Sequence, residues 1–470
     1  MSDIKFGTDG WRAIIADDFT VDNVKRVAAA TAEWLNKSDL NRSAVVGYDC
    51  RFGGKLFAET TARVLASNGI KVWLSTGFVS TPMVSLATLK QNAGCGIIIT
   101  ASHNPPGYNG YKIKGNFGGP ALPEMITEVE KFIPLQYSGK LETLETLVEQ
   151  KLVQSIDMEA MYLAHAESHF DMKAIRESGI RISYDGMYGA GQRAVAQLLP
   201  KAKMFHCDYN PSFHGQAPEP ILKNLHEIEQ HIKTHKDTDF AFATDGDADR
   251  IGVLDSSGNF IDSHHLILIL INYLNRVKKM EGKIVNSFSC TSKIGKMCKE
   301  YGLENIVTKI GFKYICAIMI SDNVLIGAEE SGGIAVAGHI PERDGVWIAL
   351  TLLEYMAKSG KSLEQLIKEV YDVTGTFAME RYDLHVEDAD KLRIVDALTN
   401  KEYQKFGSYT ITGYEDLDGF KCHLAEGGWV MVRASGTEPV LRIYSEADTS
   451  AEAFKILDAA KATLFEKAVA

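Results

Sequence analysis

The stretch GIIITASHNPPG, residues 96–107, joins a run of branched apolar residues to a turn that contains proline and glycine. The first part, Gly96 to Thr100, is typical of a strand that is buried on both faces of a parallel sheet. The turn Asn104 to Gly107 is stiff, so it would hold Ser102 at one position just beyond that strand. Ligands of parallel α/β sheets bind beyond the carboxyl ends of the strands, which makes this loop a candidate site of chemistry. An ordinary turn that happens to contain a serine is the alternative.

Helix and strand signals alternate along most of the chain on both sides of this stretch. Val24, Val27, Thr31 and Leu35 share one helical face, and Thr20 precedes them as an N-cap. The short β-branched run at 43–48 reads as a buried strand. Alternation of this kind predicts βαβ units and a parallel sheet.

The last hundred residues follow a different pattern. Phe377 to His385 alternates as a strand, two strands flank Gly436, and an amphipathic helix carries Phe454, Leu457 and Leu464. A chain of 470 residues is too long for one ordinary domain, so we expect three α/β domains with mixed or parallel sheets and a smaller C-terminal α+β domain. The predicted domains are residues 1–150, 151–255, 256–372 and 373–470.

Composition and charge exclude several classes of protein. Fifty basic and sixty-one acidic residues give a formal net charge of −11, which is unfavourable for binding the phosphate backbone of nucleic acid. The longest apolar run, Leu266 to Ile271, is too short to span a membrane, and the N-terminal segment has no apolar signal core. The seven cysteines contain no CxxC pair, which argues against a disulfide framework and a zinc site. We expect a cytoplasmic protein without nucleic-acid or membrane partners.

An acidic loop, Asp245-Gly246-Asp247-Ala248-Asp249-Arg250, follows the apolar run at 240–243. Three carboxylates at alternate positions repel one another unless a cation offsets them, and their oxygen ligands suit Mg²⁺. An EF-hand does not fit, because Arg250 stands where that motif needs glycine and Ser256 where it needs glutamate. A solvated acidic turn is the remaining alternative.

Two further loops carry polar residues around glycines. In Gly327 to Gly333 (GAEESGG), a carboxylate and a hydroxyl two residues apart suit neighbouring hydroxyls of a sugar. In Arg433 to Pro439 (RASGTEP), with Arg442 beyond it, two arginines, two hydroxyls and exposed amides suit a phosphate dianion. Each loop taken alone is also compatible with a plain surface turn.

Together, the four loops resemble those of the α-D-phosphohexomutase superfamily, which contains the phosphoglucomutases and phosphomannomutases. TASHNP is similar to the family's phosphoserine loop, DGDADR to its metal loop, GAEESGG to its sugar loop and RASGTEP to its phosphate loop, in the same order. FGTDGWR at 6–12 and GYDCR at 47–51 are also similar to family segments. The resemblance covers the whole chain and implies four domains around a central cleft.

The resemblance also implies roles for the matching residues. Ser102 would carry the phosphoryl group, and a phosphate oxygen would join Asp245, Asp247 and Asp249 around Mg²⁺. Lys112, in the run Asn109-Gly110-Tyr111-Lys112, is the implied general acid/base. The residues implied to surround the transferring phosphate are Arg12, His103 and Arg250. The implied substrate-binding residues are Lys313, Glu329, Ser331, His339, Arg433, Ser435, Gly436, Thr437 and Arg442.

The implied activity is the interconversion of hexose 1-phosphate and hexose 6-phosphate through a phosphoserine and a hexose 1,6-bisphosphate, with glucose 1,6-bisphosphate as activator. Glu330 in the middle of the sugar loop resembles glucose-preferring members. Phosphomannomutase, dual phosphoglucomutase/phosphomannomutase and phosphoglucosamine mutase activities stay open. We expect a monomer or a homodimer that binds a small phosphosugar.

Two other classes of protein are compatible with parts of the pattern. A metal-dependent sugar phosphatase would use Ser102 and the aspartates, but it would not need the second phosphate site at Arg433 and Arg442. An inactive phosphosugar-binding protein would be expected to lack Ser102 or one of the aspartates, and this chain has all of them.

Overall fold

The computed structural model describes residues 4–7, 10–434 and 439–466. Contacts divide the chain into two compact units. The first unit contains Met1–Val285 and Gly311–Ile367, and the second contains Asn286–Ile310 and Lys368–Ala470. Among the described residues, we find no helix whose length and apolar character would let it cross a membrane.

The N-terminal part of the first unit is a six-stranded sheet with strand order β1-β5-β4-β2-β3-β6. Strand β2 is parallel to β3 and β4, and β6 is parallel to β3. Strand β5 is antiparallel to both β4 and β1. The strands are β1 Trp11–Ile14, β2 Ser43–Tyr48, β3 Lys71–Ser75, β4 Cys95–Ile99, β5 Tyr108–Gly115 and β6 Val153–Ile156. The helices are α1 Val21–Lys37, α2 Gly54–Ser67, α3 Thr81–Lys90, α4 Pro123–Lys131 and α5 Leu144–Glu149.

This sheet is mixed, which is one of the two kinds expected for the α/β domains, and its antiparallel part begins at the serine loop. The serine loop connects β4 to β5, and a connection this short cannot return the chain to the start of the sheet as a parallel crossover requires. The predicted N-cap is confirmed, because the Thr20 hydroxyl accepts a hydrogen bond from the Asn23 amide at 3.2 Å.

The next part of the first unit is a five-stranded sheet with strand order β11-β10-β9-β7-β8. Strand β9 is parallel to β7 and antiparallel to β10, and the acidic loop forms the turn between β9 and β10. The strands are β7 Ile182–Asp185, β8 Lys203–Phe205, β9 Phe240–Thr244, β10 Ile251–Leu254 and β11 Phe260–Ile261. The helices are α6 Met158–His169, α7 Met172–Glu177, α8 Gln192–Leu198 and α9 His226–His235.

The third α/β segment contributes to both units. In the first unit, β14 and β15 form an antiparallel pair whose connecting turn is the Glu-Glu-Ser-Gly-Gly loop. The helix that contains the apolar run Leu266–Ile271 ends at Ile271 and continues as a π-helical segment, Asn272–Val277. The strands are β12 Lys283–Ser287, β13 Asn305–Thr308, β14 Val324–Ala328 and β15 Ile334–Val336. The helices are α10 Ser263–Ile271, α11 Lys293–Tyr301, α12 Phe312–Met319, α13 Gly345–Ser359 and α14 Leu363–Thr374.

The C-terminal part is an antiparallel sheet with strand order β16-β21-β20-β19-β18-β17, which confirms the predicted α+β domain. The final helix buries Leu457 and Leu464 in the core, whereas Phe454 is partly exposed beside Tyr382. The strands are β16 Ala378–His385, β17 Lys405–Phe406, β18 Tyr409–Glu415, β19 Phe420–Leu424, β20 Trp429–Ala434 and β21 Val440–Ala447. The helices are α15 Asp388–Thr399 and α16 Ser450–Phe465.

A histidine links the ends of the neighbouring parallel strands β7 and β8. His206 Nδ1 lies 2.9 Å from the buried carboxylate of Asp185, and its Nε2 lies 3.0 Å from Glu227. The hydrogen bond to Asp185 raises the pKa of His206 to about 9, although partial burial opposes the charged form. Because the pKa of the folded state lies above the ordinary 6.5, the protonated ring stabilises the fold fully below pH 6.5. This contribution is lost as the pH rises through about 9.

We therefore expect His206→Gln to lower the free energy of unfolding by about 1–2 kcal/mol near neutral pH. The difference between variant and parent should shrink as the pH rises from 6.5 and be lost as it passes about 9, where the ring of the parent loses its charge. Urea unfolding across this pH range measures the difference. A difference that does not change with pH would contradict the assignment of a charged His206.

Candidate active site

The serine loop begins directly after β4 and holds Ser102 in an unusual backbone conformation. Ser102 has φ +53°, the left-handed region, which costs a residue with a side chain about 1 kcal/mol or more. Its amide donates to the Thr100 hydroxyl at 2.9 Å, and its own hydroxyl donates to Asp245 at 2.7 Å. The residue is 1% exposed. The hydrogen bonds hold the Ser102 hydroxyl against the acidic loop.

The three aspartates of the acidic loop converge in the interior of the first unit. Asp245, Asp247 and Asp249 are all 0% exposed, and each offers a carboxylate oxygen within 4.8 Å of the other two. Ala248 has φ +58°, so the backbone turns sharply between the second and third aspartates. A side chain at Gly246 would come within 2.5 Å of the Ser102 carbonyl oxygen. The loop therefore needs a small residue at Gly246 to lie against the serine loop.

Cationic groups bind the Oδ2 oxygens of two of these carboxylates. Lys112 Nζ lies 2.8 Å from Asp247 Oδ2 and 3.4 Å from Asp249 Oδ2, and an Arg343 nitrogen lies 2.7 Å from Asp249 Oδ2. The Thr81 hydroxyl donates to Asp247 Oδ2 at 2.6 Å. Burial would raise the pKa of Asp247, but the Lys112 ammonium and these hydrogen bonds hold it below its usual range. Lys112 and Arg343 thus offset part of the charge of Asp247 and Asp249.

The carboxylate oxygens that Lys112, Arg343 and Thr81 do not bind are suited to a divalent cation. Oδ1 of Asp247 and Oδ1 of Asp249 are buried and have no hydrogen-bond partner in the structure. Burial raises the pKa of Asp245 well above its usual range, and the charges of Asp247 and Asp249 raise it further. Unpaired buried oxygens and crowded like charges are unfavourable unless a cation binds them, and ligands that are all oxygen suit Mg²⁺. Asp245, Asp247 and Asp249 would hold the ion.

The residues predicted to surround a phosphate on Ser102 lie on the same two loops or bind to them. His103 Nδ1 is 3.4 Å from the Ser102 hydroxyl, and Arg12 donates to Asn104 of the serine loop at 2.5 Å. The Arg250 amide donates to Asp245 at 3.1 Å. Burial, followed by the charges of Arg250 and Arg12, holds the pKa of His103 well below its usual range, so the ring is neutral.

The sugar loop is linked to the acidic loop through Arg343. One terminal nitrogen of Arg343 lies 2.7 Å from Asp249, and the other lies 3.7 Å from a carboxylate oxygen of Glu329. The other oxygen of Glu329 accepts a hydrogen bond from the Gly311 amide at 3.0 Å, just before α12. Glu329 is buried, whereas Ser331 is exposed.

Two of the predicted substrate contacts, His339 and Lys313, have other neighbours in the structure. His339 has both ring nitrogens engaged, with His165 at 3.2 Å and Asp344 at 3.0 Å, and its ring stacks on Trp347. Lys313 lines a cavity of about 150 Å³ together with residues of the N-terminal segment. Direct contacts of His339 and Lys313 with a substrate stay predictions.

The predicted phosphate loop belongs to the second unit. Arg433 on β20 and Arg442 on β21 are directly paired across the antiparallel ladder, so their side chains share one face of the sheet. Arg433 donates to Asp418 at 3.1 Å, and Arg442 lies 3.7 Å from Asp383. Ser435, Gly436 and Thr437 lie outside the described residues.

Three residues at the site were not predicted. Arg51 stands in GYDCR, which was identified only as similar to a family segment, and Arg343 follows the predicted His339 by four residues. Thr81 sits in the first turn of α3 and gives no signal in a single sequence, because a threonine beside a proline is common at a helix start.

Four family models match the chain in consecutive segments. They describe phosphoglucomutase/phosphomannomutase α/β/α domain I at residues 3–137, domain II at 160–258, domain III at 262–374 and the C-terminal domain at 384–462. The order is that predicted for three α/β domains and one smaller domain.

Individual relatives cover nearly the whole chain. A phosphoglucomutase/phosphomannomutase of Thermococcus kodakarensis is 30% identical over 460 residues, covering 96% of each chain. A phosphoglucosamine mutase of Desulforamulus reducens is 29% identical over 468 residues, covering 96% of this chain and 97% of the relative. The crystal structure of a provisionally named phosphomannomutase from Thermus thermophilus has a TM-score of 0.86 at 33% identity, covering 98% of this chain and 99% of that one.

We expect Mg²⁺ to raise the melting temperature of the protein, because a ligand that binds only the folded state stabilises it. Asp245→Asn should abolish this effect, and in EDTA the variant should be at least as stable as the parent, since it removes like-charge crowding. Thermal unfolding of both proteins with Mg²⁺ and with EDTA makes the comparison. A variant that is clearly less stable in EDTA, yet still stabilised by Mg²⁺, would contradict the assignment.

Proposed function

This chain belongs to the phosphoglucomutase/phosphomannomutase family of phosphohexomutases, and we propose that it interconverts glucose 1-phosphate and glucose 6-phosphate through phospho-Ser102 and glucose 1,6-bisphosphate. The observation that carries the proposal is the 2.7 Å contact between the Ser102 hydroxyl and the buried aspartate cluster. A hydroxyl at this position can hold a phosphoryl group beside a cation site.

The chain's own residues supply positioning and charge, which are the main requirements of phosphoryl transfer. His103 lies beside Ser102, Arg12 binds the serine loop and Arg250 ends the acidic loop, and all three would contact the phosphoryl oxygens. The neutral His103 ring lies close enough to Ser102 to exchange a hydrogen bond with it in either direction. When Mg²⁺ is bound, it supplies Lewis-acid stabilisation of the charge on the phosphoryl oxygens.

Lys112 is the proposed general acid/base, and its surroundings bear on that role. Its side chain is 0% exposed and its amine is shared between Asp247 and Asp249. These two carboxylates favour the ammonium form of Lys112, which is the form that would donate a proton in a general acid/base role.

Substrate binding is proposed for residues of the sugar loop and of the predicted phosphate loop. Glu329 and Ser331 would bind sugar hydroxyls, and Arg433 and Arg442 would bind the phosphate that is not being transferred. Directly paired arginines on one sheet face suit a phosphate dianion. A simple phosphatase would not need this second phosphate site.

Glucose is proposed because Glu330 gives the sugar loop its glucose-type sequence. Relatives named phosphoglucosamine mutase make glucosamine 1-phosphate the second candidate, and mannose 1-phosphate is the third. Glucose 1,6-bisphosphate as activator, the cytoplasmic location, the monomeric or homodimeric state and the domain boundaries at 150, 255 and 372 stay predictions.

We expect purified protein with Mg²⁺ and a trace of glucose 1,6-bisphosphate to convert glucose 1-phosphate faster than mannose 1-phosphate or glucosamine 1-phosphate. Ser102→Ala should lower the rate at least about 1000-fold, because it removes the phosphoryl carrier. Ser75→Ala is the matched control, since this buried serine only donates to the Gly77 carbonyl at 2.7 Å.

A Ser102→Ala variant as active as the Ser75→Ala control would exclude the phosphoserine route. Release of inorganic phosphate without isomerisation would favour a phosphatase. Faster conversion of glucosamine 1-phosphate would replace glucose with the second candidate.

We expect Arg442→Gln to lower kcat/KM for the hexose phosphate about 10- to 100-fold, because it removes a charge-assisted contact to the phosphate. The matched control is Arg393→Gln on α15, an arginine of the same unit that pairs with Asp390. Steady-state kinetics of both variants measure the effect. Equal kinetics for the two variants would exclude Arg442 from the phosphate site.

A further inference from the structure

Arg51 is a buried arginine at the base of the serine loop, and the proposed chemistry gives it no role. Its side chain is 0% exposed and follows β2, whose carboxyl end lies beside that of β4. An arginine buried in this way needs partners for its donors. The terminal nitrogens of Arg51 find these partners in the serine loop.

The Arg51 guanidinium binds the backbone of the serine loop at four carbonyl oxygens. One terminal nitrogen donates to Ser102 at 2.6 Å and to Asn104 at 2.7 Å. The other donates to Pro105 at 3.0 Å and to Tyr108 at 3.1 Å. The four acceptors cover the loop from the phosphoryl carrier to the start of β5.

Asp49 and Thr100 extend this hydrogen-bond network to the Ser102 amide. Asp49 lies 3.4 Å from Arg51 Nε, and its carboxylate also accepts the Thr100 hydroxyl at 2.5 Å and the Arg51 amide at 2.9 Å. The Thr100 hydroxyl in turn accepts the Ser102 amide. Both the amide and the carbonyl of Ser102 are therefore held by one buried network, and these are the groups that define its left-handed backbone conformation.

We propose that Arg51 is a positioning residue that fixes the backbone of Ser102 for phosphoryl transfer. The inference rests on the proposed function, in which Ser102 carries the phosphoryl group. A lysine could supply the charge, but it lacks the planar fork that reaches four acceptors in fixed directions. The terminal nitrogens of Arg51 donate to main-chain carbonyls of the loop, so the residue acts through Ser102 and not on the substrate.

The test compares Arg51→Lys with the matched control Arg26→Lys. Arg26 is also buried in the first α/β domain, and it donates to the Pro134 carbonyl at 2.8 Å. Amide hydrogen exchange of the peptide that covers 100–112 reports loop order without any need for activity. Steady-state kinetics then report kcat and KM for the hexose phosphate.

We expect Arg51→Lys to accelerate exchange in residues 101–108 at least about tenfold, while the rest of the sheet exchanges as in the parent. Its kcat should fall at least about 50-fold with KM within about threefold, because the reacting group is misplaced and ground-state binding is kept. Arg26→Lys should leave loop exchange and kcat within about twofold of the parent.

The inference is overturned if the loop of Arg51→Lys exchanges like that of the parent, or if exchange rises equally throughout the sheet. If Arg51→Lys does not fold, Asp49→Asn provides the same test, because it keeps the shape and removes the charge that holds Arg51. A parent enzyme that isomerises no hexose phosphate would refute the proposed function, whereas faster loop exchange in Arg51→Lys would still support the positioning role.

Discussion

Mutual repulsion among three buried carboxylates is the constraint on which the rest of the site depends. Asp245, Asp247 and Asp249 are withdrawn from water, and Lys112 and Arg343 bring opposite charge into contact with two of them. Buried like charges are costly, and one way to relieve that cost is a bound cation. The Oδ1 oxygens of Asp247 and Asp249 have no hydrogen-bond partner among the described residues, so they are available to such a cation.

Several surrounding elements hold this carboxylate cluster in place. Lys112 comes from β5, Thr81 from α3 and Arg343 from the segment before α13, so separate parts of the first unit each bind an aspartate. Lys114, two residues after Lys112 on β5, makes a second buried ion pair with Glu342 at 2.7 Å. Breaking a buried pair leaves an uncompensated charge, which makes the relative placement of these elements strongly determined.

Much of this organisation could be predicted from the sequence, because the elements that carry the loops have strong local signals. The strand at 43–48 and the cap at Thr20 were predicted at the observed residues, and the three aspartates of the acidic loop converge as their spacing predicted. The resemblance to the family supplied the order of the four loops, and the family models agree with it.

What the sequence did not predict depends on contacts between distant residues. The antiparallel β5 follows from the length of the serine loop, and the roles of Arg51, Thr81 and Arg343 follow from partners that lie tens to hundreds of positions away. A single sequence contains no record of such pairs.

The central claim is that Ser102 carries the phosphoryl group. The most direct measurement is peptide mass spectrometry of the protein after incubation with Mg²⁺ and glucose 1,6-bisphosphate, followed by addition of hexose monophosphate. We expect one phosphoryl group on the peptide that contains Ser102, and its loss to the added sugar. A protein that gains no phosphoryl group, or gains it on another residue, would contradict the claim.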